Sequence, residues 1–357
     1  MRTTWHSNDT NFTQFILAGD IGGTNSNLAI VGEKDGVFTL LVECVFPSQD
    51  ILGLIDPIKQ TLAVTSERLE GVKIERCCIS GAGPVADNFC KLSNLSWNID
   101  GNEIQRTIGI PTIVINDFLA ISYGVPLLDV HQPDKISQLP HTDGSLSEPS
   151  GDVSLVIGAG TGLGVGFVIN HNGKMIAYPS EGGHASFANF DAETSELKHY
   201  VIQNTNYASE IEMLVSGRGL ANIFNFFRDV RKVTLDGVLK EIDAAADTDK
   251  PALIGTHAEN NPVCRDVLRL FIKVYGRITA DFATVLLPTN GIYLAGGIVE
   301  KNEHYFADGR QFMYYFEQNF RPSIQEILKK FPVYIIREYS VSLYGAANAA
   351  TLLTEAE

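Results

Sequence analysis

The stretch Leu17-Ala18-Gly19-Asp20-Ile21-Gly22-Gly23-Thr24-Asn25 sets the architecture of this chain. A short apolar run at 15–18 leads to Asp20 and a glycine pair, and a second apolar run resumes at 28–31. Strand, glycine turn and returning strand predict a hairpin, which 37–46 extends into a meander. Glycines in such a turn let backbone N–H groups approach an anion with no Cβ in the way, and Thr24 adds a hydroxyl donor. Asp20, at the strand end, offers the hard oxygen that Mg²⁺ prefers, reached through water. Taken alone the turn is a weak signal, because tight hairpins use glycine routinely.

The same unit recurs downstream. Residues 153–157 read as a buried strand, Gly158-Ala159-Gly160-Thr161-Gly162 as a turn and 164–169 as the returning strand. Neither turn is followed by the lysine of a GxxxxGK[ST] loop. The fragment from Gly160 to Gly164 leads into a strand, whereas a dinucleotide-binding GxGxxG leads into a helix. The two turns are either unrelated hairpins or the openings of two duplicated domains that share a ligand.

Between and beyond them the chain alternates strands and helices. Ser48 or Asp50 is placed to cap a helix carrying Ile51, Leu54, Ile55, Ile58 and Leu62 at helical spacing. Short strands at 77–80 and 112–115 end at Gly81-Ala82-Gly83-Pro84 and at Asn116-Asp117. Residues 126–149 hold Pro126, Pro133, Pro140 and Pro149 among polar side chains and read as an excursion between domains. One long helix is predicted over 262–287, with Val263, Val267, Leu270, Val274, Ile278 and Phe282 on one face. A strand at 291–295 ends in Gly296-Gly297, and an alanine-rich helix at 342–353 closes the chain.

Composition narrows the function classes. A chain of 357 residues is long enough for two domains, each with its own core. Hydrophobic content of 45% with 19% charged residues is that of a globular protein. A net charge of −15 leaves no broad basic face for nucleic acid, although backbone amides and Mg²⁺ still hold phosphates locally. The 5 cysteines include no CxxC pair and read as reduced thiols, not as a disulfide framework or zinc site. The polar N-terminus lacks the apolar core of a signal peptide. The weakly charged run at 153–169 is broken by glycines, so no membrane span is expected. The C-terminal Glu355-Ala356-Glu357 is no peroxisomal tag, which leaves cytoplasm as the expected location.

As a set, these motifs resemble the superfamily of hexokinase, actin and the 70-kDa heat-shock ATPases. Residues 20–24 resemble its first phosphate loop, 158–161 its second, and Leu294-Ala295-Gly296-Gly297 its adenosine turn. The resemblance narrows to the bacterial-type glucokinases through 17–25, Ile115-Asn116-Asp117-Phe118, Gly158-Ala159-Gly160-Thr161-Gly162-Leu163-Gly164 and Ser180-Glu181-Gly182-Gly183-His184. Ser216-Gly217-Arg218-Gly219-Leu220, Ala295-Gly296-Gly297-Ile298 and Tyr344-Gly345-Ala346-Ala347 follow in the family's order.

That resemblance implies an α/β, two-domain actin-like ATPase (ribonuclease H-like) fold with an interdomain cleft. The small domain is expected at 13–125 plus 341–357 and the large one at 126–340. It implies ATP as phosphoryl donor with Mg²⁺, the 6-hydroxyl of glucose as acceptor, ADP as product and a homodimer. Nucleotide binding falls to Asp20, Gly22, Gly23, Thr24, Asn25, Gly160, Thr161, Gly162, Gly296 and Gly297, with Asp20 also holding Mg²⁺. Asp117 is implied as the general base toward the 6-hydroxyl and Asn116 as a hydroxyl ligand. Glu181 and His184 are implied to hold hydroxyls near the anomeric end, with a further carboxylate from Glu212, or from Glu210 if the register slips.

Other readings of the same residues stay open. Asn116-Asp117 also reads as the cap of a helix starting at Phe118, and Ser209-x-x-Glu212 as a capping box. A Glu-x-x-His spacing suggests metal only on a helix, which Gly182 and Gly183 make improbable. The family carries an arginine three residues after the loop threonine, where this chain has Asn27, so no role is transferred there. Residues ahead of 17 and those at 126–149 read as peripheral additions. The rivals are a kinase of the same fold for mannose or an amino sugar, an actin-like or heat-shock-like ATPase, and the ROK family, whose cysteine-rich zinc motif is absent here.

Overall fold

The computed structural model describes residues 1–205 and 209–353. Glu355-Ala356-Glu357, with the end of the expected 341–357 segment, lies outside the described residues. The chain divides into two compact units, one of Met1–Asp129, Lys174–Tyr178 and Glu338–Glu357, the other of Val130–Gly173 and Pro179–Arg337.

The first stretch builds β1 (Arg2–Trp5), β2 (Gln14–Ile21), β3 (Asn25–Lys34), β4 (Val37–Pro47), α1 (Ile55–Arg68) and β5 (Ile74–Gly81). Three short strands, β6 (Val85–Ala86), β7 (Phe89–Cys90) and β8 (Ile99–Asp100), precede α2 (Gly101–Ile108), β9 (Thr112–Asn116) and α3 (Asp117–Gly124). Next come β10 (Ile136–Leu139), β11 (Val153–Ala159), β12 (Leu163–His171) and β13 (Lys174–Ser180). The helical part holds α4 (Ala192–Thr205), α5 (Gly217–Asp229), α6 (Gly237–Ala244), α7 (Lys250–His257) and α8 (Pro262–Leu286). Then follow β14 (Gly291–Ala295), α9 (Gly297–Lys301), α10 (Glu303–Ala307), α11 (Gln311–Glu317), α12 (Pro322–Leu328), β15 (Val333–Ile336) and α13 (Val341–Leu353).

The first unit's sheet has the order β1-β4-β3-β2-β5-β9. Strands β2 and β3 are antiparallel, whereas β2, β5 and β9 run parallel. Alternation sorts the side chains. Leu17 and Ile21 of β2 join Leu28 and Ile30 of β3 in a core with Ile58 of α1 and Ile104 of α2. Ala18, Asp20 and Asn27 therefore project from the other face, along which α13 packs. Helix α13 lies close on α3 because both helices carry glycine at the contact. A Cβ on Gly345 would overlap the Ala120 carbonyl, and one on Gly124 would overlap that of Val341. Asn348 Nδ2 donates to Tyr123 O at 2.9 Å across the same seam.

The second unit repeats the pattern. Strand β11 is antiparallel to β12 and parallel to β14, which is parallel to β15. Each unit thus opens with a hairpin whose first strand continues into parallel neighbours. Helix α8 starts where Asn261 accepts hydrogen bonds from the Val263 and Cys264 amides, and buries Val267, Leu270, Val274 and Ile278. All five cysteines are buried free thiols. Among the described residues no helix is long and apolar enough to cross a membrane.

Two expectations need correction. Neither Ser48 nor Asp50 caps a helix: α1 begins at Ile55, after Leu54, with no side-chain cap. Ser48 is buried and turned to the first glycine turn instead. The 126–149 segment, expected as an excursion between domains, belongs from Val130 on to the second unit, where β10 adds antiparallel to β15 at the sheet edge. Its His141 is buried against Glu317, Nδ1 to Oε1 at 2.9 Å, which anchors the segment on α11.

The helix seam yields a first test. Gly345→Ala should cost about 1–3 kcal/mol of stability, as overpacking does, read as a lower urea midpoint. An unchanged midpoint would mean that α3 and α13 do not meet at this glycine.

Candidate active site

In the first unit the C-terminal ends of parallel strands gather the polar residues, which is where open α/β sheets bind ligands. Asp20 of β2 aligns with Ser80 of β5, and Gly81 aligns with Asn116 of β9. The Asp20 carboxylate accepts from Ser342 Oγ at 2.7 Å and Ser80 Oγ at 3.3 Å. Burial pushes its ionisation up, and these two hydroxyls partly offset that.

Asn116 and Asp117 stand where β9 passes into α3. Asn116 is the N-cap: its Oδ1 accepts from the Phe118 amide at 2.9 Å, and its Nδ2 donates to Gly83 O at 3.1 Å. Asp117 Oδ1 shares the Phe118 amide at 2.8 Å. The capping reading therefore holds, yet a carboxylate offers about four lone-pair sites, so capping leaves acceptor capacity for a substrate. Burial, and then the charge of Asp20, pushes the Asp117 carboxyl up to about 6 despite these hydrogen bonds.

The first glycine turn is braced from behind. Gly22 N donates to Asn25 O at 2.9 Å, and the Ser48 amide donates to Thr24 O at 2.8 Å. Ser48 Oγ donates to Gly22 O at 2.7 Å and lies 2.9 Å from Ser26 Oγ. The carbonyls of Gly22 and Thr24 are thus taken up inside the unit, while Thr24 and Asn25 stay exposed. Sequence reading missed Ser48, Ser80 and Ser342. A lone serine carries no pattern, and only strand register and chain closure bring these three to the turn and to Asp20.

In the second unit the turn at 160–162 closes with Gly160 N on Gly162 O at 2.9 Å, and Gly160 O accepts from Gly217 N at 2.8 Å. Ser216 caps α5 by accepting from Gly219 N at 3.0 Å. Gly296, with φ 95°, stands where a Cβ would strike the Ala159 carbonyl. The end of β11 and the adenosine-type turn after β14 therefore lie side by side, with Gly158 paired to Ala295.

Beside this turn lies a polar cluster. Gly182–His184 forms one 3-10 turn, and Gly183 sits where a Cβ would overlap Leu163 O. His184 Nδ1 meets Glu210 Oε2 at 2.8 Å, and its Nε2 lies 3.9 Å from Glu181 Oε2. Glu210 is held there because its residue bridges Ser186 and the Ile211 amide donates to Ala185 O at 2.9 Å. The bond to Glu210 is the main cause that raises the His184 ionisation. Glu181 and His184 are exposed and Glu210 is half-buried.

The two candidate carboxylates thus separate. Glu212 accepts from the Leu163 amide at 3.0 Å and backs Gly162, where a Cβ would sit 2.6 Å from its Oε2. It braces the phosphate-type turn, whereas Glu210 joins Glu181 and His184. The capping box at Ser209 does not form: Ser209 Oγ is buried with no partner among the described residues.

Among the described residues no three His, Cys, Asp or Glu side chains gather as a metal site. The donor set at Asp20 is one carboxylate with the serine hydroxyls of 80 and 342. Such an oxygen-only set fits Mg²⁺, which binds through one or two carboxylates and keeps several waters.

Duplicated hairpin-plus-parallel sheets with glycine turns at their ends define a protein of the actin-like ATPase fold. The structure is similar to a glucokinase from an Antarctic psychrotroph, with TM-score 0.79 and 24% identity over 95% of this chain and 99% of that one. It is similar to Balamuthia mandrillaris glucokinase in complex with glucose, with TM-score 0.75 and 24% identity over 95% and 94%. A ROK family glucokinase from Streptomyces griseus in complex with glucose and AMPPNP shares the fold at TM-score 0.62 and 21% identity over 94% and 99%. In sequence, the glucokinase of Nostoc punctiforme is 35% identical over 95% of this chain and 99% of its own length. The sequence model of the glucokinase family matches residues 17–353. The chain belongs to the glucokinase family.

The setting of Asp117 has a thermodynamic consequence. Its folded ionisation is raised, so the neutral carboxyl suits the fold and the charge opposes it. Stability present below about pH 4 is therefore lost as pH rises through about 6, a difference of about 2–3 kcal/mol. Asp117→Asn should melt above wild type at pH 8, with the gap closing by pH 4. Equal melting curves at every pH would refute the raised ionisation.

Proposed function

We propose that this glucokinase-family protein transfers the terminal phosphoryl group of ATP to the 6-hydroxyl of D-glucose, giving glucose 6-phosphate and ADP. The observation that carries the mechanism is Asp117, a carboxyl at a strand end whose ionisation is raised to about 6. A general base works best with its ionisation near the operating pH, and contributes roughly 10²–10⁴ in rate. Asp117 accepts the O6 proton as O6 attacks the γ-phosphorus, the bond to the β–γ bridging oxygen breaks, and ADP leaves. Asn116 keeps Asp117 in place through the α3 cap and presents its amide to a sugar hydroxyl.

The cluster of Glu181, His184 and Glu210 supplies the acceptors and donors that a ring of hydroxyls requires. We read Glu210, and not Glu212, as the sugar carboxylate, because Glu210 holds His184 while Glu212 is spent on the Leu163 amide. Backbone amides of 22–25, 160–162 and 296–297 cradle the phosphates and the adenosine. Asp20 would hold Mg²⁺, which would supply neutralisation of the phosphate charge. The domains run over 13–125 plus 341–357 and over 126–340, the protein works in the cytoplasm, and two copies form a homodimer, as the family resemblance suggests. Glucose and AMPPNP in the relatives' structures favour this substrate pair over a conformational ATPase. A kinase for mannose or an amino sugar is the second reading, favoured only by the shared fold.

A coupled ADP assay over glucose, mannose, glucosamine and no sugar tests the proposal. ADP should form with glucose and stay near background without sugar. Glu210→Gln should raise KM for glucose at least about tenfold, since unmade hydrogen bonds leave polar groups unpaired. Sugar-independent ADP formation would sink the kinase reading. Equal loss through glucose KM in Glu212→Gln, with Glu210→Gln unaffected, would reverse the carboxylate assignment.

A further inference from the structure

Asn27 takes the place where glucokinases carry an arginine, and it has an unusual setting. It lies on β3 directly opposite Asp20 in the antiparallel pair. Directly opposed residues project from the same face with Cβ atoms about 4.5–5.5 Å apart. Its Oδ1 is buried and has no hydrogen-bond partner among the described residues. A buried acceptor left unmade costs about 1–3 kcal/mol, so its donor has to be found.

The neighbouring donors are already committed. Ser80 Oγ gives its proton to Gly19 O at 3.0 Å and to Asp20 Oδ1 at 3.3 Å. Ser342 Oγ donates to Asp20 Oδ2 at 2.7 Å. Val45, the partner of Asn27 on the other side, has no polar side chain. Neither hydroxyl is left to give to Asn27, and a water between its amide oxygen and the Asp20 carboxylate opposite would face two acceptors. A water giving one proton to the amide oxygen and one to the carboxylate keeps only lone pairs, which is the condition of a water bound to a cation.

We infer that Asn27 is a positioning residue for Mg²⁺, its amide oxygen and the Asp20 carboxylate together holding metal-bound water. An arginine at this position would supply positive charge and donors. An asparagine supplies an acceptor and leaves the positive charge to the ion. This inference rests on the proposed ATP-dependent reaction and adds to it a residue that no motif assigns.

Mn²⁺ binding, measured by electron paramagnetic resonance with ADP present and glucose absent, tests it without turnover. Asn27→Leu keeps the size and removes the acceptor, and should weaken Mn²⁺ about tenfold or more, as loss of outer-shell partners does. Asn27→Asp keeps the acceptor and should bind Mn²⁺ at least as tightly as wild type. ADP binding in EDTA should be the same in all three proteins. Asn27→Ala gives the same readout if leucine is not accommodated. Wild-type Mn²⁺ affinity in Asn27→Leu or Asn27→Ala, or equal loss in Asn27→Asp, overturns the inference while leaving the kinase reading intact. Wild-type protein that binds no ADP overturns both.

Discussion

Asp20 and Asp117 stand at the C-terminal ends of β2 and β9, where burial works against their charges and the charge of Asp20 works further against Asp117. Much of the first unit's end follows from holding them there. Ser80 on the neighbouring strand β5 and Ser342 on the closing helix both give hydrogen bonds to Asp20. Asn116 and the first amide of α3 fix Asp117. A surface carboxylate would cost the fold less, but on the base role proposed above its ionisation would lie too low to take a proton near neutral pH. The site and the stability of the unit are therefore set in opposition, a common relation where function needs an unfavourable group.

The second unit meets a different demand in the proposed reaction, which is to bring backbone amides close to an anion. Its solution is close approach at glycine. Gly183 lies against the Leu163 carbonyl, Gly296 against that of Ala159, and Gly162 against the Glu212 carboxylate. Each contact excludes a Cβ, and together they pin the turn at 160–162 to the polar cluster of Glu181, His184 and Glu210. Glu212 accepts from the Leu163 amide behind the turn, and Glu210, two residues earlier, pairs with His184. The same strand pattern in both units, a hairpin continued by parallel neighbours, places a glycine turn at the same point of each sheet.

Much of this was legible in the sequence, and the reasons differ by element. The glycine turns, the strand at Gly291–Ala295 and the long helix at Pro262–Leu286 announce themselves because period and punctuation agree. Asn116-Asp117 reads as a pair, and its cap, like the site role proposed for it, follows from its place at a strand-to-helix junction. What sequence could not supply was register. Ser48 looked like a helix cap and instead braces the first turn, because its hydroxyl finds a carbonyl across strands. The proposed choice of Glu210 over Glu212 rests on the bonds to His184 and to the Leu163 amide, which local spacing does not encode. Asn27 stood out only as a departure from a family pattern, until the pairing with Asp20 gave it a neighbour.

The role of Asp117 is open to one decisive comparison, turnover against glucose affinity in Asp117→Asn. An amide keeps the size and the hydrogen bond to the α3 amide but cannot take a proton. The account predicts that kcat falls at least about 10²-fold while the Kd for glucose stays within roughly tenfold, since the sugar cluster lies on other residues. Wild-type turnover in this variant would contradict it.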